Sequence, residues 1–259
     1  MTGIFASPLY FPLRQWLVDL PSSPDVGAIA ALAEAHPRFA NGRRIRFAPP
    51  CADGLAYESR IWAQGMVETR PDNWHDWFNA LVWLSFPQTK VAISARHVQA
   101  MQAPGALRGQ ERDALTHFDE CGVLVLSSNP LLLDLLRNFE WKALFVTHRA
   151  EVERDMRFVV FGHATYEALL QPFRGLTAKA LLLPVEADWL CQAPDADWIV
   201  AVDRLLAAKI EQGEPDSPQA LQPLPLLGIP GVVPENEDPA YYDDTWQFRP
   251  GRRSTKKAA

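Results

Sequence analysis

Three short stretches of the chain gather residue types that move protons or hold cations. The first is Asn73-Trp74-His75-Asp76-Trp77-Phe78-Asn79. On a helix, His75 and Asn79 lie four apart on one face, and Asp76 and Asn79 share an edge. An imidazole beside a carboxylate and an amide can orient a substrate, hold a metal or transfer a proton. The structural reading makes Asn73 the helix N-cap and Asp76 a first-turn acid that satisfies orphan N–H groups. The second stretch is Asp113, His117 and Glu120, at i, i+4 and i+7, with Asp119 alongside. A Glu and a His three apart on a helix can share a metal. A solvated helix end explains the same stripe. The third is Gly162-His163 followed by Tyr166 and Glu167. If a strand over 158–161 ends at Gly162, His163 stands where ligands of open α/β sheets gather. The glycine would permit close backbone approach. The structural reading is a buried histidine, with Glu167 paired to Arg174 or Lys179.

Other residues are weaker candidates. Glu58 and Arg60 alternate onto one face of an expected strand, and with Lys179 they are the substrate-binding candidates. His97 has Lys90 and Ser94 on its helix face and reads as surface or packing. His36 and His148 carry no constellation. Cys121 follows Asp119-Glu120, an electronegative setting that disfavours a thiolate. The chain holds no G-x-S-x-G elbow, no phosphate-cradling glycine loop and no H-E-x-x-H helix.

The elements that must position these residues follow from periodicity and punctuation. Pro24-Asp25 opens a helix over 26–35, closed by Pro37. Residues 43–47 and 57–66 read as strands of a hairpin, with Pro49-Pro50 and Asp53-Gly54 between them. Asp72 or Asn73 caps a helix through Phe86. Pro87 suits the first turn of a second, to about Met101, ended by Pro104-Gly105. A third covers roughly 110–118. The apolar run 122–127 is a strand buried on both faces. Asn129-Pro130 starts a further helix, and 140–155 is helical. The stretch 158–161 suits either a strand or the start of a helix. Residues 180–185 form a strand and 196–212 an amphipathic helix. Both ends read as extended arms. Phe5, Phe11 and Trp16 pin the first. The prolines of 213–253 preclude regular structure in the second, while its aromatic and aliphatic residues hold it on the domain.

Composition narrows the function classes. Apolar residues at 48% and charged residues at 22% describe a globular chain. A net charge of −6 argues against a surface built for nucleic acid. The arginines at 43, 44 and 46 and the basic cluster from Arg249 to Lys257 read as solvated side chains and a tail. Cys51, Cys121 and Cys191 lack metal-knuckle or disulfide spacing, which suits a reducing compartment. No signal-peptide pattern or membrane-spanning run is visible, so the expected location is cytoplasmic, with no membrane partner.

Several of these stretches also carry a resemblance. Asn73-Trp74-His75-Asp76-Trp77-Phe78-Asn79 continuing to Lys90, then Arg96-His97 and Phe118-Asp119-Glu120-Cys121-Gly122, are similar to a bacterial family. So are Phe161-Gly162-His163-Ala164-Thr165-Tyr166-Glu167, the run from Gly175 to Lys179, Ile229-Pro230-Gly231, Tyr242-Asp243-Asp244 and Phe248-Arg249-Pro250. The family is domain of unknown function 3025. The resemblance implies one bacterial domain over nearly the whole chain and supplies no activity or site residue. The family pattern has an asparagine after the Asp-Glu pair, where this chain has Cys121.

The expected fold is α+β: a helix-rich single domain over 1–253 with a small mixed β-sheet, wrapped by extended N- and C-terminal arms, and a disordered tail at 254–259. Two functions compete. In the first, His75, Asp76, Asn79, His163 and Glu167 form a catalytic cleft with Asp119 and Glu120 as metal ligands. A divalent metal or a His–carboxylate pair would there activate water for hydrolysis of a small molecule. A separation of His75 and His163 beyond about 15 Å, far outside hydrogen-bond reach, would exclude a shared site. In the second, nine tryptophans and an aromatic arm present a surface to a protein partner. Exposure discriminates: a concave pocket opening on His75 or His163 favours the enzyme, and wholly buried tryptophans with no pocket favour the scaffold.

Overall fold

A computed structural model of the chain describes residues 5–17, 24–35, 44–52, 54–102 and 109–251. The stops expected at Pro37 and Pro104-Gly105, Arg43, His36 and the tail lie outside the described residues. The fold is α+β, with a small mixed sheet set among helices.

The N-terminal segment is a 3-10 turn, Pro8–Leu13, running into a short helix α1, Arg14–Leu17. Tyr10 and Leu13 anchor it fully buried and Trp16 is buried as expected, whereas Phe5 and Phe11 only pack against the core. Helix α2 covers Val26–Ala35. Strand β1, Arg46–Ala48, pairs in parallel with β2, Met66–Glu68. The hairpin expectation fails here because Tyr57–Gln64 is helix α3, not a strand. Its apolar residues are too few to set a strand alternation. The left-handed Gly65, at φ 68°, stops the helix and turns the chain into β2.

Helix α4, Trp74–Ser85, begins as its sequence dictates: Asn73 Oδ1 accepts from the Asp76 N–H at 2.9 Å. Pro87 then disfavours helical geometry at Phe86 and opens α5, Pro87–Gln102. Helix α6, Gln110–Cys121, delivers the chain into β3, Gly122–Ser127, which is buried throughout. Helix α7, Pro130–Arg137, a π-helical turn at Ala143–Thr147 and α8, Arg149–Asp155, return it to β4, Met156–Val160. The ambiguous stretch therefore resolves as a strand, followed by α9, His163–Ala168. Strand β5, Thr177–Pro184, the short α10, Asp188–Cys191, and α11, Ala196–Glu211, complete the body.

The larger sheet has the order β4-β3-β5-β6. β3 runs antiparallel to β4 and parallel to β5. The edge strand β6, Gln222–Pro225, comes from the C-terminal arm and pairs antiparallel with β5. The expectation that its prolines preclude regular structure is corrected at this point. Pro223 and Pro225 sit on an edge, where a missing N–H breaks no interior ladder. The rest of the arm is 3-10 turns that bury Leu226, Ile229, Tyr242 and Phe248 in the shared core. No described helix is long and apolar enough to cross a membrane.

Candidate functional site

One cavity of about 380 Å³ gathers most of the candidate residues, from three helices above all. Helix α4 brings His75, Asp76 and Asn79, α6 brings Thr116, Asp119 and Glu120, and the start of α9 brings His163. The α4–α9 contact is fixed by an aromatic layer. Phe78 stacks on Tyr166 at 5.8 Å between ring centroids, and Tyr10 packs against both, 5.6 Å from Tyr166 and 6.0 Å from Phe78. Tyr10 also donates its hydroxyl to the Tyr166 carbonyl at 2.8 Å. The N-terminal segment thus clamps the helix that carries His163 to the one that carries His75.

Backbone crowding brings α6 and α9 together. The Gly122 carbonyl accepts from both Phe161 N–H at 3.0 Å and Gly162 N–H at 2.8 Å. A methyl group on Gly162 would lie 2.3 Å from the Gly122 nitrogen and 2.5 Å from the Glu120 carbonyl. Only glycine leaves room there, and that approach sets His163 beside Glu120.

At the centre, His75 Nε2 and His163 Nε2 are 3.1 Å apart. Glu120 Oε2 closes a triangle, 3.7 Å from the first and 3.4 Å from the second. The other ring nitrogen of His75, Nδ1, lies 3.0 Å from Glu167 Oε2. With Nδ1 donating to Glu167, the neutral tautomer of His75 would turn its Nε2 lone pair toward the triangle. His163 is almost fully buried, and burial pushes its pKa down to about 3, so its ring is neutral at physiological pH. His163 Nδ1 is sealed from solvent without a partner in full hydrogen-bond geometry, and the nearby Asp119 main chain favours a proton on it. Its Nε2 then also presents a lone pair. Burial and the neighbouring Asp119 both raise Glu120, while His75 draws it back down. Two imidazole nitrogens and one carboxylate oxygen converge on one point.

A buried network supports this arrangement. Lys90 Nζ donates to Asp119 Oδ1 at 2.6 Å and to Asn79 Oδ1 at 3.0 Å. Asn79 Nδ2 donates to the Tyr57 hydroxyl at 2.8 Å. Burial pushes Asp119 up, but Lys90, with help from His163, outweighs it and holds the carboxyl below its usual range. Burial and the Asp119 charge raise Tyr57, so the phenol stays neutral. At the rim, Arg70 grips Asp76 through two side-chain bonds of 2.7 and 2.9 Å. Those bonds outweigh burial and lower the Asp76 pKa.

The candidates of the sequence divide accordingly. His75, Asp76, Asn79, Asp119, Glu120 and His163 line one cavity, and Glu167 backs His75. The Asp76 carboxylate is taken by the main-chain N–H and the guanidinium of Arg70. Asp119, a metal-ligand candidate, faces Lys90 and stands outside the triangle, which Glu120 completes. Arg174 takes Asp244 rather than Glu167. The stripe Asp113, His117 and Glu120 separates, because His117 is exposed and Thr116 faces the cavity instead. Glu58 does line the cavity, but from a helix. Arg60 is buried in an ion pair with Glu68. Lys179 lies on β5 opposite Gly122 and does not line the cavity. The sequence reading missed Lys90 and His97: both are buried, and with Ser94 they form one α5 stripe turned toward the site. That stripe is visible as i, i+4, i+7 spacing, but a lysine in it points to solvent unless its buried partners are known. Of the discriminating tryptophans, Trp77 and Trp83 are buried, Trp74 is partly buried and Trp62 is 41% exposed.

A helix-rich α+β chain with a two-histidine, one-glutamate triangle at the mouth of a polar cavity is the class of protein defined so far. Residues 45–252 match the family model described as "Protein of unknown function (DUF3025)", and the chain belongs to that family. No curated protein and no solved structure matches it.

Proposed function

We propose that the chain is a metal-dependent hydrolytic enzyme in which His75, Glu120 and His163 hold one divalent cation beside the cavity. The observation that carries this reading is the triangle of His75 Nε2, His163 Nε2 and Glu120 Oε2. A circle through its three atoms has a radius of about 2.0 Å, so one ion can sit within bonding distance of all three, as at zinc with nitrogen and carboxylate ligands. Glu167 at His75 Nδ1 is the outer carboxylate that orients a metal-bound imidazole. Three protein ligands leave a further position for water, which the ion would acidify and aim at a polarised substrate.

A proton shared between the two rings fits the same atoms without a metal, and elemental analysis separates the two. Untagged protein purified without chelator is expected to hold close to one equivalent of zinc, manganese or iron. His75→Ala and His163→Ala should lose it while circular dichroism shows both folded. A metal-free wild type with both variants folded removes the metal reading and leaves the proton relay.

A further inference from the structure

Granting the metal reading above, we propose that Glu58 is the acid–base residue of this cavity, taking a proton from the attacking water and returning it to the leaving group. Five carboxylates line the cavity, and four have a cation or imidazole against them. Glu68 has Arg60, Asp76 has Arg70, Asp119 has Lys90, and Glu120 has the two histidines. Glu58 has no ion-pair partner among the described residues. Its one hydrogen bond is a long one from the Ser94 hydroxyl, at 3.4 Å. A carboxylate left without a counter-charge in a cavity is costly unless it can take a proton.

The position of Glu58 is fixed. It lies in the first turn of α3, next to Tyr57, whose hydroxyl is tied to Asn79 on the helix that carries His75. Arg60, one turn-edge further on, pins the same helix to Glu68 and to the Leu55 carbonyl at 2.9 Å. The charged groups that act on the carboxyl are Asp119 and Arg112 from α6 and Lys90 from α5, together with the Ser94 hydroxyl. Burial and then Asp119 raise its pKa to about 7, and Lys90, Ser94 and Arg112 draw it back less strongly. A carboxyl at that value is both a competent base and a competent acid near neutral pH, which an ordinary glutamate is not.

For an ester the step balances without redox. The water oxygen bonds to the acyl carbon as its proton passes to the Glu58 carboxylate. The C–O bond to the leaving group then breaks, and the departing oxygen takes that proton back. Glu58 returns to its starting state, and water is the only co-reactant.

The test uses the full chain loaded with zinc and 4-nitrophenyl acetate as the probe ester, with His75→Ala as the background. Wild type is expected to turn over above that background, with kcat/KM rising through about pH 7 as Glu58 ionises. Glu58→Gln should keep its zinc and its circular dichroism, hold KM within about twofold, lose that pH limb, and lower kcat about 100-fold. Glu58→Asp should recover part of the loss. A ¹³C carboxyl titration of wild type, assigned by the Gln variant, should place the Glu58 midpoint near 7 without any turnover being needed. An unchanged kcat in Glu58→Gln overturns the assignment, as does a midpoint in the ordinary glutamate range. A rise in KM alone makes Glu58 a substrate-recognition residue instead. Zinc-loaded wild type without turnover above background overturns the role of Glu58 while the metal reading stands. Failure to bind zinc removes the metal reading and this role with it.

Discussion

At the residue scale, the site depends on which ring nitrogen faces which neighbour. Glu167 fixes His75 by accepting from Nδ1, and no other described residue does so. Glu167→Gln should leave the fold intact but weaken zinc binding about 10- to 100-fold, the cost usual for losing an outer-shell carboxylate. Competition against a chromophoric chelator measures this, and unchanged affinity would mean that Glu167 is only a surface ion-pair partner. Gly162 sets the third vertex. Gly162→Ala should destabilise the protein by about 1–3 kcal/mol through overpacking and should also reduce metal content, since the added carbon drives α9 away from Glu120. A folded Ala variant with full metal would show that the approach of the two backbones is not what positions His163.

The sequence exposed much of this scale, because helical spacing alone placed His75 with Asn79 and His163 with Glu167. It could not show that Glu120 rather than Asp119 faces the histidines. The two are adjacent and chemically alike, and the choice rests on Lys90, which approaches from a different helix.

At the element scale, α5 brings His97 to the cavity and sets Lys90 and Ser94 behind its residues Asp119 and Glu58, and its start is held by a residue far along the chain. Asp203 of α11 accepts from the Gln88 N–H at 3.0 Å and the Thr89 N–H at 2.9 Å, two donors that a helix start leaves unsatisfied. Pro87 announces the helix start in the sequence, but the partner 114 residues away from Thr89 does not show in any local pattern. The same blindness to distant partners explains α3, whose Arg60 is committed to Glu68 and not to a substrate.

Burial raises Asp203 from 3.8 to about 6, against the opposing pull of those N–H donors. The folded state therefore holds a proton between about pH 4 and pH 6 that the unfolded chain has released. This group's contribution to stability is greatest below pH 4 and falls as pH rises to 6, by on the order of 3 kcal/mol, then levels off. Asp203→Asn should remove that dependence. Urea midpoints at pH 4.5 and 6.5 measure it as the difference between wild type and variant. Parallel curves for the two proteins would contradict the account.

At the scale of the whole molecule, both ends of the described chain are structural. The N-terminal turn buries Tyr10 against Tyr166, and the C-terminal arm supplies edge strand β6 and the core residues Leu226, Ile229, Tyr242 and Phe248. A chain truncated after Gln212 uncovers the β5 edge and that apolar surface. It should fail to fold cooperatively, as read by circular dichroism and thermal melting. Composition revealed that the arm is too apolar to float free. Its strand stayed hidden because proline frequency argues against strands in general and only an edge position tolerates it. An ion bound at the triangle belongs to this scale too, because binding to the folded state alone stabilises it by about 2.7 kcal/mol at a free concentration 100 times Kd.

The central claim is that one ion joins three helices at one point, and anomalous diffraction from crystals of the zinc-loaded protein at the zinc edge tests it most directly. The account predicts a single strong peak within about 2.0–2.2 Å of His75 Nε2, His163 Nε2 and a Glu120 oxygen. No peak there, with the two rings still facing each other at hydrogen-bond distance, would contradict it.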